Sequence, residues 1–259
     1  MNGPGIVYIV GAGPGDPELI TVKGLRYLRT SDVIVHDRLI HPALLAESRP
    51  GAEIIDAGKQ PGKSHHIQQW INTQLVTKAA LGWTVCRLKG GDPFAFGRGA
   101  EEAQVLKTAG IPFEIVSGVT SVTAAPAAAG IPLTHRDLAH GFMVLTACHA
   151  TVPAPDWTVA ARFVQGGGTL VVLMGLARLG HIATALRKLG CAGSTPAAVI
   201  ANGTLPEQEV RCATLQGIAV EAWNMKTPAI IVIGSVVEAN FLKPTRASEG
   251  VNELEPSIR

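Results

Sequence analysis

Two glycine-rich segments of this 259-residue chain have residue types and spacing that would let a ligand reach the backbone. The first is Gly11-Ala12-Gly13-Pro14-Gly15-Asp16, between a strand-like run at 6–10 and a helical pattern. Glycines in such a turn expose main-chain donors and acceptors to a nucleotide-like group. The dinucleotide fingerprint needs its third glycine at position 16, where Asp16 stands, and Pro14 removes a donor. The loop therefore reads either as a structural turn or as a different nucleotide-like or substrate site at the carboxyl edge of a sheet. The second segment runs Arg87-Leu88-Lys89-Gly90-Gly91-Asp92-Pro93-Phe94-Ala95-Phe96-Gly97-Arg98-Gly99, then Glu101-Glu102. Gly90 and Gly91 end a strand, and Asp92 can accept hydrogen bonds or pair with a cation. The competing reading is a plain turn with Lys89, Arg98 and both glutamates in solvent. That both loops follow strands of one sheet favours a shared site.

Other candidates carry less. Gly62-Lys63-Ser64 has the ending of a phosphate loop, but Ala57 holds the place of its required glycine and Pro61 lies inside the wrap. Cys148-His149 is adjacent in sequence, which does not orient a base towards a thiol. The four cysteines are dispersed and read as reduced thiols, and none of the eight histidines falls in a metal-binding spacing, so no metal is expected. With 22 basic and 20 acidic residues and no basic stripe, no nucleic-acid partner is expected. A locally basic cleft for a small polyanion stays compatible with that balance. The longest apolar run, 169–177, ends at Arg178 and is too short to span a membrane. The start of the chain lacks a basic segment followed by an apolar one, so a cytoplasmic protein is expected.

The elements that must position these loops follow from periodicity. Apolar runs at 6–10, 33–36, 53–56, 84–88 and 113–116 read as buried strands, with helices at 17–28, 66–80 and 101–109 between them. Asp16 and Pro17 read as cap and first turn of the first helix. Continuous apolar strands alternating with helices predict a mainly parallel sheet covered on both faces. An Ala-rich helix follows at 122–129. Strands are then predicted at 143–146, 170–173, 197–200, 208–213 and 229–233, with helices at 158–165 and 179–189. A hairpin around 202–208 would make this second sheet mixed. The segment 134–141 reads as a linker or hinge, and the end of the chain as a frayed polar tail. The fold class is α/β, with two domains.

Read in order, the motifs closely resemble the tetrapyrrole methylase family. They are the first glycine loop with Leu19-Ile20-Thr21-Val22-Lys23-Gly24, then Val35-His36-Asp37-Arg38-Leu39, Gly58-Lys59 and the 87–99 segment. Val116-Ser117-Gly118-Val119-Thr120-Ser121 and Ala129-Gly130-Ile131-Pro132-Leu133-Thr134-His135-Arg136 follow. The last are 169–175, Asn202-Gly203-Thr204 with Gln208, and 228–234. The chain departs from the common form at His36, Gln60 and Ser235, and at Thr146-Ala147-Cys148-His149.

The change of pattern puts the domain boundary within 117–135, taken as domains 1–120 and 121–243 with a polar tail at 244–259. The resemblance implies a trough between the two domains, a mostly parallel N-terminal sheet, a mixed C-terminal sheet, and a homodimer. It implies S-adenosyl-L-methionine bound in a folded shape and two methyl transfers, to C2 and C7 of uroporphyrinogen III. Precorrin-2 would form via precorrin-1, with release of S-adenosyl-L-homocysteine and no metal. The cofactor positions it implies are Pro14, Gly90, Gly91, Asp92, Ala95, Thr120, Ser121, Met174, Asn202 and Gly203. The implied proton-handling pair is Asp37 and Lys59; taken without the resemblance, these are equally an ordinary strand-end acid and a solvated loop lysine. A polycarboxylate substrate needs cations, and the candidates are Arg38, Lys59, Lys63, Arg98 and Arg136, with His135 beside the last. The methyltransferase unit alone is expected, with no fused dehydrogenase or chelatase. The alternatives are a methyltransferase acting on a later precorrin, or a non-catalytic tetrapyrrole carrier.

Overall fold

A computed structural model describes residues 3–59, 64–147, 155–239 and 241. Its first part alternates strands with helices: β1 (Val7–Gly11), α1 (Val22–Thr30), β2 (Val33–His36), α2 (Pro42–Ala46), β3 (Glu53–Asp56), α3 (Ser64–Ala80), β4 (Val85–Lys89), α4 (Gly99–Thr108) and β5 (Phe113–Val116). The strands lie in the order β3-β2-β4-β1-β5, and every pairing is parallel. All five strands therefore end at the same edge, where both glycine loops begin.

Alternate side chains of a strand point to opposite faces. Val7, Ile9, Val33, Val35 and Val85 pack on one face with Ile71 and Leu75 of α3 and Leu106 of α4. Val10, Ile34, Cys86 and Leu88 pack on the other with Leu28 of α1 and Leu44 of α2. Each such side chain removed from water contributes roughly 1.5–3 kcal/mol. Coverage on both faces explains why these strands read as unbroken apolar runs.

The second part comprises α5 (Ser121–Ala128), β6 (Phe142–Thr146), α6 (Trp157–Gln165), β7 (Thr169–Leu173), α7 (Leu179–Lys188), β8 (Pro196–Ala201), β9 (Glu209–Thr214), α8 (Ile218–Glu221) and β10 (Ala229–Ile233). The sheet order is β6-β7-β10-β8-β9. The β6–β7 pair is parallel and the rest are antiparallel, so the sheet is mixed, and β8–β9 is a hairpin. Ala160 and Val164 of α6, Leu186 of α7 and Ile218 of α8 cover one face through Leu170, Val172, Val199 and Ile231. Val122 and Ala125 of α5 cover the other through Val171, Leu173, Ile200 and Val232. Thus α5 follows a strand of the first sheet but packs on the second.

Several expectations need correcting. The helix expected at 17–28 is two elements. Asp16 caps only a 3-10 turn, Pro17–Leu19, accepting from the Glu18 N–H. A second cap, Thr21, accepts from the Gly24 N–H at 3.1 Å and starts α1. Two elements were not foreseen, α2 and α8, of five and four residues. Such short pieces leave too little sequence for a 3.6-residue period to show. Among the described residues no helix is long and apolar enough to cross a membrane. Cys148, His149, Lys63 and the expected tail at 244–259 lie outside the described residues.

Candidate active site

The carboxyl ends of β1, β4 and β5 converge through main chain. Gly13 and Gly91 form an isolated bridge, the Gly91 N–H donating to the Gly13 carbonyl at 2.7 Å. A Cβ on Gly11 would stand 2.6 Å from the Gly118 Cα, and one on Gly118 only 2.3 Å from the Gly91 carbonyl oxygen. Glycine is required at these crossings because backbone, not a yielding side chain, occupies the space. Gly90 and Gly91 behave differently, since a Cβ on either would meet nothing within 4 Å. Their backbone faces open space, and Gly91 adds a φ of +66° that favours glycine.

Asp92 holds this arrangement. Its Oδ1 accepts from the N–H groups of Phe94 (2.8 Å) and Ala95 (3.1 Å), and its Oδ2 from the Gly118 N–H at 3.0 Å. One carboxylate thereby ties the loop after β4 to the loop after β5. Both oxygens accept from main-chain donors, so its first work is to shape the loop. Ala95 belongs to the same turn. Thr120 caps α5 through its Oγ1, which accepts from the Val122 N–H, and Ser121 begins that helix.

The second sheet faces this cluster with strained backbone. Met174 after β7 and Asn202 and Thr204 after β8 all have positive φ (52°, 49° and 74°), although none is glycine. Non-glycine residues held there cost about 1–2 kcal/mol each and gather at functional sites. Leu173 and Ala201 both pair with the start of β10, so Met174 and Asn202 leave the sheet at one edge. Met174 is 53% exposed, so its side chain is accessible at that edge. The Asp16 N–H donates to the Thr204 Oγ1 at 3.1 Å, and Gly203 lies against Ala125 of α5. The first glycine loop, half-buried Pro14 included, thus touches the 202–205 turn. Of the expected cofactor positions, this geometry brings together Pro14, Gly90, Gly91, Asp92, Ala95, Thr120, Ser121, Asn202 and Gly203, with Met174 at the same sheet edge.

Asp37, just past the end of β2, is bound into a charged cluster. Its Oδ1 accepts from Arg87 Nη2, and its Oδ2 from the Gly90 N–H at 3.4 Å. Arg87 is fully buried on the α3/α4 side of β4. It also donates from Nε to Glu102 Oε1 at 3.0 Å and from Nη1 to the Val35 and Leu88 carbonyls. Lys89 Nζ and Gln68 Nε2 donate to the same Glu102 oxygen, at 2.9 and 3.1 Å. Burial works to raise the Asp37 carboxyl, but the Arg87 and Lys89 charges and the Arg87 and Gly90 hydrogen bonds outweigh it and hold it below the usual carboxylate range. Burial, and then the Arg87 charge, push the Lys89 ammonium below the ordinary lysine value. Burial pushes the Cys86 thiol up to about 12, which leaves it inert.

The reading of Lys89 and both glutamates as solvated is therefore wrong for Lys89 and Glu102, which are 2% and 0% exposed. Sequence reasoning missed this cluster. Its signal is an Arg and a Lys two residues apart in an otherwise apolar strand, hence on one face.

Of the expected substrate cations, the backbone brings Arg38 and Lys59 together after the neighbouring strands β2 and β3, while Arg98 and Arg136 lie on other loops. Exposed Arg38 packs its stem on Gly58. Lys59 ends the 3-10 turn Ala57–Lys59 after β3, the strand beside β2. Arg98 has a φ of +60°, and its guanidinium is engaged by the Glu101 carboxylate at 3.0 and 2.6 Å. His135 sits in the turn after α5, bridged to Ala139, and its Nδ1 accepts from the Asp137 N–H. Arg136 beside it is exposed. Among the described residues no hydrogen bond or ion pair joins this turn to the glycine loops.

Comparison with known proteins gives this geometry a context. Residues 6–219 match the family described as Tetrapyrrole (Corrin/Porphyrin) Methylases. The chain is 47% identical over 238 residues to the S-adenosyl-L-methionine-dependent uroporphyrinogen III methyltransferase of Methanosarcina barkeri, covering 90% of this chain and 92% of that one. It is 46% identical over 234 residues to the siroheme synthase of Sodalis glossinidius, covering 90% of this chain and 49% of that protein. The chain thus spans about half the length of that relative. The crystal structure of uroporphyrin-III C-methyl transferase from Thermus thermophilus complexed with S-adenyl homocysteine superposes with a TM-score of 0.77 at 39% identity, covering 90% of this chain and 99% of that one.

Proposed function

The chain belongs to the tetrapyrrole methylase family, and from that premise we propose that it is an S-adenosyl-L-methionine-dependent uroporphyrinogen-III C-methyltransferase. It methylates C2 and C7 to give precorrin-2 via precorrin-1 and releases S-adenosyl-L-homocysteine. The observation that carries this reading is the open main chain at Gly90 and Gly91, bridged through Gly13 to the first glycine loop, which touches the turn that holds strained Asn202. Space that a Cβ would fill is left free there, as a ligand lying on backbone requires. The residues thus fit the methyl donor, which when bound supplies an electrophilic sulfonium methyl group.

The cofactor cradle in this reading is Pro14, Gly90, Gly91, Asp92, Ala95, Thr120, Ser121, Asn202 and Gly203. Exposed Met174 offers a polarisable apolar surface to it. Asp37 stays ionised at neutral pH and already accepts two hydrogen bonds, which makes it a weak base and a persistent negative charge beside the site. It stabilises the positive charge that the electron-rich ring gains with the methyl group until the ring releases a proton, and Lys59 takes part in that proton handling or holds a carboxylate. Arg38, Lys63, Arg98, His135 and Arg136 are the substrate cations; Arg98 must share its fork with Glu101. We divide the chain at residue 120, supported by the packing of α5 on the second sheet, and take it to act as a cytoplasmic homodimer.

The test is incubation with methyl-labelled cofactor and uroporphyrinogen III under anaerobic, reducing conditions, followed by mass spectrometry. A product heavier by two methyl groups is expected. Cofactor binding without any methylated product from this substrate overturns the assignment, and methylation of a later precorrin alone redirects it.

A further inference from the structure

We propose that Glu102, buried behind the loops, is a positioning residue that balances the charges of Arg87 and Lys89 so that the Asp37 carboxylate is held in place beside Gly90. The inference rests on the reading of Asp37 as part of the active site. Three observations carry it. First, Glu102, Arg87 and Lys89 are 0%, 1% and 2% exposed, so a set of full charges sits inside an otherwise apolar packing layer. An apolar cluster of similar volume generally serves stability as well as a buried ion pair. Second, the cluster is poorly satisfied as a purely structural device. Three donors crowd Glu102 Oε1, while Oε2 has no hydrogen-bond partner among the described residues. Third, the planar Arg87 fork spans the layer, with Nε on Glu102 and Nη2 on Asp37. A rigid fork transmits the position of one carboxylate to the other.

The charge count makes the role specific. From β4, Asp37 faces Arg87 and Lys89; from α4, Glu102 opposes them. Along its own chain Asp37 lies between His36, whose Nδ1 is 2.9 Å from the Asp37 carbonyl oxygen, and exposed Arg38. Lys59 follows the neighbouring strand. Within the buried set two cations meet two anions. Without Glu102, two buried cations would compete for one half-exposed carboxylate.

The test is a charge cycle on the full chain: Glu102→Gln, Lys89→Met, and both together. Asp37 is followed directly by 13C NMR of labelled aspartate carboxyls, with Asp37→Asn assigning the signal. Removing the cation in Lys89→Met moves the Asp37 midpoint up, removing the anion in Glu102→Gln moves it down, and the double variant brings it back towards wild type. Methyl transfer reports the position of the carboxylate, since Asp37 stays charged at neutral pH. Each single variant loses about tenfold in kcat, equivalent to about 1.4 kcal/mol of transition-state stabilisation, S-adenosylhomocysteine affinity holds within about twofold, and the double variant recovers most of the loss. A merely structural role predicts losses that multiply in the double variant. An unmoved Asp37 titration in both single variants, or multiplied losses, overturns the inference. If Glu102→Gln does not fold, Lys89→Met against the double variant decides it by the same two measurements. The titration needs no substrate. A wild-type chain that fails to methylate uroporphyrinogen III while its variants shift Asp37 removes the functional reading, not the coupling.

Discussion

Replacing single glycines in the loops separates ligand contact from packing. Gly90→Ala, Gly91→Ala and Gly118→Ala each add one methyl group, but into three environments. At Gly118 the new carbon would lie 2.3 Å from the Gly91 carbonyl oxygen and 2.7 Å from the Gly11 Cα. Restoring ordinary contact moves main chain by about 1 Å, an overpacking that costs about 1–3 kcal/mol. For a chain of this size that lowers Tm by about 2–12 °C, at about 2–4 °C per kcal/mol. At Gly91 there is space, but the φ of +66° costs a side chain about 1–2 kcal/mol. At Gly90 there is neither obstruction nor strain, so Tm holds or rises slightly as the unfolded chain loses freedom. The same Gly90 methyl group projects to where the cofactor would lie. A misfit of about 1–3 kcal/mol there weakens binding roughly 5- to 150-fold. Differential scanning fluorimetry gives Tm, and isothermal titration with S-adenosylhomocysteine gives affinity. The reasoning predicts a crossed pattern: Gly90→Ala is stable but binds weakly, and Gly118→Ala is unstable. Wild-type affinity in Gly90→Ala would mean that no ligand lies on that backbone. Wild-type Tm in Gly118→Ala would refute the close crossing of the three strand ends.

Two further outcomes follow from single carboxylates. Asp92→Ala removes the acceptor for three main-chain N–H groups, so at roughly 1 kcal/mol per bond it destabilises by about 3 kcal/mol. It also weakens S-adenosylhomocysteine binding more than porphyrin binding in calorimetry, and equal losses would reject its place in the cofactor loop. Asp37 has a folded-state pKa below its unfolded value of about 3.9. Its contribution to stability is therefore fully present above that value and is lost as pH falls through the folded one. Urea midpoints of the wild type should fall more steeply below about pH 4 than those of Asp37→Asn, and superimposable curves would show that the ion pair with Arg87 carries no net stability.

Most of the fold was legible because its strands are short, apolar and regularly interrupted. Val33–His36, Glu53–Asp56, Phe113–Val116 and Ala229–Ile233 fall where the pattern puts them. What escaped was decided by contacts rather than by period. The break between the 3-10 turn and α1 depends on two caps in succession, Asp16 and Thr21, of which the first alone looks sufficient. The glycine loops were legible as open backbone, but Gly11 and Gly118 look no different in sequence from Gly90. Only the fold assigns the first two to packing and the last to open space.

The buried charges were hidden for a different reason. A residue-by-residue reading sends Arg, Lys and Glu to water, because unpaired burial of any of them costs several kcal/mol. The strand rule, applied strictly, gives the opposite answer. Val85 faces α3 and α4, so Arg87 and Lys89, two and four residues on, must face them too. The helix rule agrees, since Glu102 shares its buried face with Ala103 and Leu106, while the preceding Glu101 turns to solvent and pairs with Arg98. Two periodicities thus bring two cations and one acid to the same layer, and their burial becomes tolerable because each arrives with a partner. The strand that carries Arg87 and Lys89 ends in Gly90, whose N–H and whose neighbour Arg87 both hold Asp37. Polarity inside the first sheet is therefore continuous with polarity at the edge where its glycine loops begin, and the outermost carboxylate, Asp37, is fixed from within.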